Sequence, residues 1–139
     1  MDVRRLSRTE AEAALDDLAR LRIEVFHDFP YLYEGDIVYE RRYLSTYMES
    51  AGSVIIGAFN GAELVGAATA APLTEHFEEF AEPFAARGLD PASFFYFGES
   101  VLRKTYRGRG VGVRFFEERE RAARASGYSA CVFSSVIRP

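Results

Sequence analysis

A single cysteine, Cys131, rules out an internal disulfide and any cysteine-based metal cage. The two histidines, His27 and His76, lie far apart without companion ligands, so no metal site is expected. No apolar run reaches the length needed to span a bilayer, and the opening MDVRRLSRTE holds no apolar segment of signal-peptide type. A soluble, cytoplasmic chain without a membrane partner is expected. The sequence has no internal repeats and no low-complexity stretch, which argues against a scaffold array. There is no excess of positive charge either. A net charge of −4 gives no general affinity for nucleic acid, so a local basic cluster around Arg107 stands against an acidic background.

What is present suits one globular domain. At 139 residues and 48% apolar composition, the chain is long and apolar enough for a core of its own. Residues 7–26 read as a first helix, opened by a Ser7–Glu10 capping box and carrying Leu15, Leu18, Leu21 and Val25 at helical spacing. Ile37–Glu49 reads as a second helix, with Asp36 as cap, Tyr39, Tyr43 and Tyr47 on one face, and Gly52 as stop. An aromatic, acidic loop from His27 to Gly35 joins the two. Ser53–Phe59 and Glu63–Ala70 are two β-prone runs around Asn60-Gly61, a hairpin signal. Small residues in the second run (Gly66, Ala67, Ala68, Ala70) leave room for close packing, and Pro72 ends it. Thr74–Arg87 reads as a helix with Phe77, Phe80 and Phe84 along one side, a break near Glu82 before Pro83, and Gly88 as its close.

The chain is organised around Phe94–Ser126. Phe94–Leu102 is an aromatic and apolar run of strand length, Arg103–Gly112 a basic, glycine-rich turn, and Val111 to about Ala125 a helix. That helix is expected to bury Val111, Phe115 and Ala122, with the charge run Glu117–Arg121 and Arg124 in solvent. Tyr128–Val136 reads as a last strand, with Cys131 a small core residue rather than a nucleophile. Strand, glycine turn and helix together make an anion site. Glycines permit close backbone approach, and the helix start offers unpaired N–H groups at the positive dipole end. Arg103, Lys104, Arg107 and Arg109 add cations suited to a polyphosphate. The dinucleotide fingerprint GxGxxG fails, because its third glycine would fall on Val113 or Phe115, and no Gly-Lys-Ser/Thr follows for a Walker A loop.

The pattern that does fit is Arg-x-x-Gly-x-Gly, read as Arg107, Gly110 and Gly112 after the Tyr106-Arg107 pair. It resembles the acyl-CoA pyrophosphate loop of GNAT-superfamily N-acetyltransferases, and the order α-α-β-β-(insert)-β-α-β resembles the GNAT core over nearly the whole chain. The resemblance implies an α/β (α+β) fold: one domain over residues 1–139, with a mixed, mostly antiparallel sheet and helices on both faces. It implies acetyl-CoA as cosubstrate and direct acetyl transfer to a primary amine of a small molecule or a protein, the small molecule favoured, taken in a groove lined by the first helix–loop–helix region, whose aromatics would alternatively only cover the sheet. Pantetheine would lie along the backbone of Val101, Leu102 and Arg103. The pyrophosphate would rest on Arg107, Gly108, Arg109, Gly110, Val111 and Gly112. Glu99, a carboxylate in an apolar strand where burial would raise its pKa, is the candidate general base. Its structural alternative is a solvent-facing or arginine-paired residue. Tyr96 and Ser100 are weaker polar candidates.

Two departures accompany the resemblance. Residues 72–92 form an insertion that would either cap the acceptor site or decorate an edge. No tyrosine follows Tyr128 to serve as the family's usual general acid, and the family's further helix and strand pair would lie beyond Pro139, so the chain is expected to be C-terminally incomplete. The alternative functions are a non-catalytic acyl-CoA-binding module and, against the charge balance, a nucleic-acid-binding domain. Whether the chain pairs as a homodimer is left open.

Overall fold

Residues 1–27, 34–76 and 78–133 are described by the computed structural model. Five strands form one sheet in chain order: β1 (Asp2–Arg5), β2 (Val54–Asn60), β3 (Glu63–Pro72), β4 (Phe94–Leu102) and β5 (Ala130–Val132). The first four pair antiparallel in turn, and β4 pairs β5 in parallel. The helices are α1 (Arg8–Ala13), α2 (Leu15–His27), α3 (Ile37–Glu49), α4 (Leu73–His76), α5 (Glu78–Ala86) and α6 (Val111–Ala125). This is the expected mixed, mostly antiparallel α/β domain.

Two cores lie on the two faces of the sheet. On one, Val111, Phe115, Ala122 and Ala123 of α6 bury against Val54, Ile56, Val65, Phe95 and Phe97. On the other, Leu18, Leu21, Leu44 and Tyr47 of α2 and α3 bury against Ile55, Leu64, Ala67 and Val101. The small residues of β3 allow the α6 packing. A Cβ on Gly66 would meet Leu102 at 2.8 Å and Phe115 at 3.1 Å, so only a glycine lets that ring down onto the sheet.

Several expectations change in the fold. The first helix is two. The Ser7–Glu10 capping box forms, but α1 ends at Ala13 and α2 starts at Leu15, with Ala14 between them at φ −94° and ψ 7°, outside helical geometry. Strand β1 had no clear alternation to announce it. It exists because β2 offers an edge to pair with. The hairpin loop is Gly61-Ala62, with Asn60 paired to Glu63 and Gly61 at φ 63°. Tyr39 is exposed while Tyr47 is buried, since residues spaced four apart drift around a helix of about 3.6 residues per turn. Helix α5 runs through Pro83 without breaking near Glu82. Proline removes one rung of the ladder there and does not end it. Gly88 closes it as expected, with Leu89 N–H on the Phe84 carbonyl and Gly88 N–H on that of Ala85. Cys131 is exposed, because no described element covers that side of the edge strand β5. The loop aromatics at 28–33, Phe77, and the last strand's end at 134–136 lie outside the described residues.

Candidate functional site

The site is built around two irregularities of β4. The first is a bulge. Ala68 of β3 faces Ser100 and Ala70 faces Phe97, so Thr69 alone opposes both Gly98 and Glu99. An extra residue shifts the alternation by one. Phe95 and Phe97 point into the α6-side core, whereas Val101 points into the α2/α3-side core, and Glu99 goes with Val101. The second irregularity is a splay. Pairing with β5 covers only Phe94, Phe95 and Tyr96, so among the described residues the rest of that β4 edge, to Leu102, has no strand partner.

Glu99 is half-buried and held on two sides. Tyr43 Oη donates to its Oε2 at 3.2 Å, and the Arg22 guanidinium forms an ion pair with its Oε1. Arg22 also pairs with Glu40, which is 1% exposed, and its guanidinium lies against the rings of Phe26 and Tyr43, at 5.1 and 4.4 Å. One arginine thus bridges two carboxylates, a unit of net charge −1 at the α2/α3 face. Burial pushes the Tyr43 hydroxyl pKa up, opposed by the Arg22 cation, so Tyr43 stays a proton donor at neutral pH. Glu99 therefore takes the arginine-paired form anticipated as its structural alternative. Nothing in the sequence brings Arg22 and Tyr43 to it, because they come from helices distant in the chain.

After Leu102 the chain turns. Arg103 N–H bonds to the Val65 carbonyl at 2.9 Å, and its guanidinium is drawn to Glu24 at 3.1 Å and to Glu63. It is thus neutralised on the α2 side instead of joining the other cations of the turn. Arg107 Nε reaches back to the Leu102 carbonyl at 3.2 Å, Tyr106 Oη accepts from Asn60 at 2.9 Å, and Arg109 lies over the Tyr106 ring at 5.4 Å. Gly108 and Gly110 take left-handed φ values of 78° and 79°. A Cβ at Gly108, Gly110 or Gly112 would meet nothing within 4 Å, so the turn faces open space. Gly110 is the N-cap of α6 and no side chain caps the helix. The Gly110 carbonyl accepts its first bond, from Arg114 N–H at 3.2 Å. The first-turn amides and the positive end of a fifteen-residue helix therefore face outward, an arrangement fit for an anion. Val101 and Val111 are buried and can offer a ligand only their backbone, whereas Leu102 is half-buried and can offer part of its side chain as well.

Arg119, expected in solvent with the rest of its charge run, is 1% exposed. Its Nη1 donates to the Thr69 and Gly98 carbonyls, each at 3.3 Å, and its Nη2 to Ser100 Oγ at 2.9 Å. Phe97 and Phe116 flank it, with both ring centroids at 4.8 Å. Burial pulls its pKa down to about 10, partly offset by Tyr47, so it stays cationic at neutral pH. The helical spacing of Val111, Phe115, Arg119 and Ala122 already puts it on the buried stripe. A charge in that stripe was the signal that a reading of the run by charge passes over.

Among the described residues no group of three or more His, Cys, Asp or Glu side chains is placed to hold a metal ion, and no helix is long and apolar enough to cross a membrane. A cavity of about 390 Å³ is lined by Ser7, Tyr47 and Ser53, away from the glycine turn.

No protein-family model and no curated protein matches the sequence. Solved structures do match the fold. The aminoglycoside N-acetyltransferase AAC(6')-Iy in complex with CoA superposes with a TM-score of 0.72 at 13% identity, over 97% of this chain and 76% of that one. An aminoglycoside 6'-N-acetyltransferase from Acinetobacter haemolyticus superposes with a TM-score of 0.73 at 12% identity, over 99% and 81%. The aminoglycoside acetyltransferase HMB0005 from an uncultured soil metagenomic sample gives 0.67 at 23% identity, over 99% and 80%. At these identities the likeness is one of fold alone, and the fold of this chain is that of the GNAT-type acetyltransferases.

Proposed function

We propose that the chain is an acetyl-CoA-dependent N-acetyltransferase that acetylates a primary amine of a small molecule by direct attack. The observation that carries this reading is the uncapped start of α6 behind the open Gly108–Gly112 turn, directly after a strand whose β5-side edge beyond Tyr96 has no strand partner among the described residues. The first-turn amides would take the pyrophosphate, with Arg107 and Arg109 as nearby cations. The backbone from Val101 to Arg103 would take the pantetheine arm. The CoA complex of AAC(6')-Iy and the aminoglycoside acetyltransferases among the similar folds support the cosubstrate and a small-molecule amine acceptor.

In the reaction the amine nitrogen bonds to the thioester carbonyl carbon, the carbon–sulfur bond breaks, and the sulfur leaves as the CoA thiolate. The amine gives up a proton and the thiolate takes one. Glu99 is the proton acceptor, directly or through a water, with Arg22 as the counter-charge of its carboxylate and Tyr43 fixing one oxygen. The net negative Arg22–Glu40–Glu99 unit also suits an ammonium group on the incoming acceptor.

Calorimetric titration with acetyl-CoA, with adenosine diphosphate as comparison, tests the cofactor half. An amine panel assayed for thiol release tests the chemistry. Saturable acetyl-CoA binding tighter than the nucleotide's, with amine-dependent thiol release, is expected. Binding without release from any amine would replace the enzyme with an acyl-CoA-binding module, and no binding would overturn both.

A further inference from the structure

Arg119 is a charge in the wrong place for a core. Moving a guanidinium out of water is expensive unless its donors are satisfied, and an apolar side chain of the same size would fill that stripe of α6 at no such cost. No carboxylate pairs with it among the described residues. Its partners are two backbone carbonyls, one hydroxyl and two ring faces.

Those partners share one location. The carbonyls belong to Thr69 and Gly98, which oppose each other across the β4 bulge, and the hydroxyl belongs to Ser100 at the first restored pair after it. A bulge interrupts the ladder and leaves polar groups that need another donor. A planar guanidinium can reach both strands at once, whereas an ammonium on a single nitrogen cannot span the three acceptors in one plane. The bulge also decides where the base stands. Strict alternation from Phe97 would carry Glu99 to the α6 face, away from Arg22 and Tyr43.

We infer that Arg119 is the positioning residue for Glu99: from the opposite face of the sheet it clamps the bulge that turns Glu99 toward Arg22 and Tyr43. The functional half of this inference rests on the acetyltransferase reading above. The structural half does not.

The test compares Arg119→Met and Arg119→Lys with the parent, alone and combined with Glu99→Gln. Three quantities are read: acetyl-CoA affinity, kcat, and the carboxylate carbon resonance of Glu99 in glutamate-labelled protein, assigned by its loss in Glu99→Gln. Arg119→Met is expected to keep acetyl-CoA affinity within about threefold, lower kcat by about 100-fold and shift the Glu99 resonance, with Arg119→Lys recovering part of both. Once Glu99 is already glutamine, adding Arg119→Met should cost less than about twofold more, because a residue that acts through another loses its effect when that other is gone. Losses that multiply in the double variant, or an unmoved Glu99 resonance, overturn the inference. If Arg119→Met does not fold, Arg119→Lys carries the same cycle and the same resonance reading. If Glu99→Gln alone keeps full turnover, the assignment of Glu99 as base fails, and the resonance by itself decides whether Arg119 sets the bulge.

Discussion

Gly98 stands against Thr69 with no room for a side chain: a Cβ there would run into the Thr69 hydroxyl and come to 3.0 Å of the Tyr47 hydroxyl. The close approach is made by the two strands at the bulge. Gly98→Ala is therefore expected to cost about 1–3 kcal/mol of stability by overpacking. In urea unfolding the midpoint should fall, and turnover should fall more than acetyl-CoA affinity, since the glycine turn is untouched. A parental midpoint would mean that the strands can separate there without strain.

Gly110→Asp separates fold from ligand. A Cβ at Gly110 meets nothing, and the left-handed φ costs an aspartate about 1 kcal/mol, less than it would cost a bulkier or β-branched residue. Stability should thus change by no more than about 1 kcal/mol. Acetyl-CoA affinity should fall by about 100-fold or more, because the carboxylate would occupy the amides assigned to the pyrophosphate. Parental affinity in calorimetry would remove the phosphate from this turn.

Glu99→Gln keeps the shape of the side chain and its bond from Tyr43 while removing the base. Turnover is expected to fall by about 10²–10³-fold with acetyl-CoA affinity unchanged. Parental turnover would take Glu99 out of the reaction.

Arg22→Met strands two carboxylates, one of them on Glu40 at 1% exposure. Breaking a buried pair from one side typically costs about 3–5 kcal/mol. Thermal unfolding should report such a loss, and a smaller one when Arg22→Met is combined with Glu40→Gln, which removes the more buried stranded charge. Equal losses in the two variants would show that packing of Arg22 on Phe26 and Tyr43, not its charge, is what matters.

The Ser7–Glu10 capping box should be visible in the acid limb of stability. The Ser7 N–H, and then Arg4, hold the Glu10 carboxyl below its ordinary value. A folded-state value below the unfolded one gives stability that is present above about pH 4.3 and lost as pH falls through the folded value. Glu10→Gln should therefore unfold with a shallower pH dependence below that point than the parent. Coincident acid limbs would show that the box contributes nothing.

Much of the fold was legible because it is local. The limits of β4 and α6, the Ser7–Glu10 box, the Asp36 cap and the Gly88 stop each depend on residues within a few positions of one another, through backbone geometry and capping hydrogen bonds. The glycine turn was legible for the same reason: left-handed φ values at Gly108 and Gly110 are a matter of those residues alone. The strand β1 was not, because it depends on pairing with β2, and neither the break at Ala14 nor the passage of α5 through Pro83 has a local signal in the sequence.

The candidate site divides along the same line. A chain with an Arg-x-x-Gly-x-Gly turn between a strand and a helix carries the proposed anion cradle in its own sequence, since that cradle would be made of consecutive backbone amides. The face on which Glu99 stands, the loss of Arg103 to Glu24 and Glu63, and the burial of Arg119 were decided only by tertiary structure. Each depends on which strand carries an extra residue and which helix lies opposite. Those are relations between segments far apart in the chain, joined by the packing of two cores on one sheet.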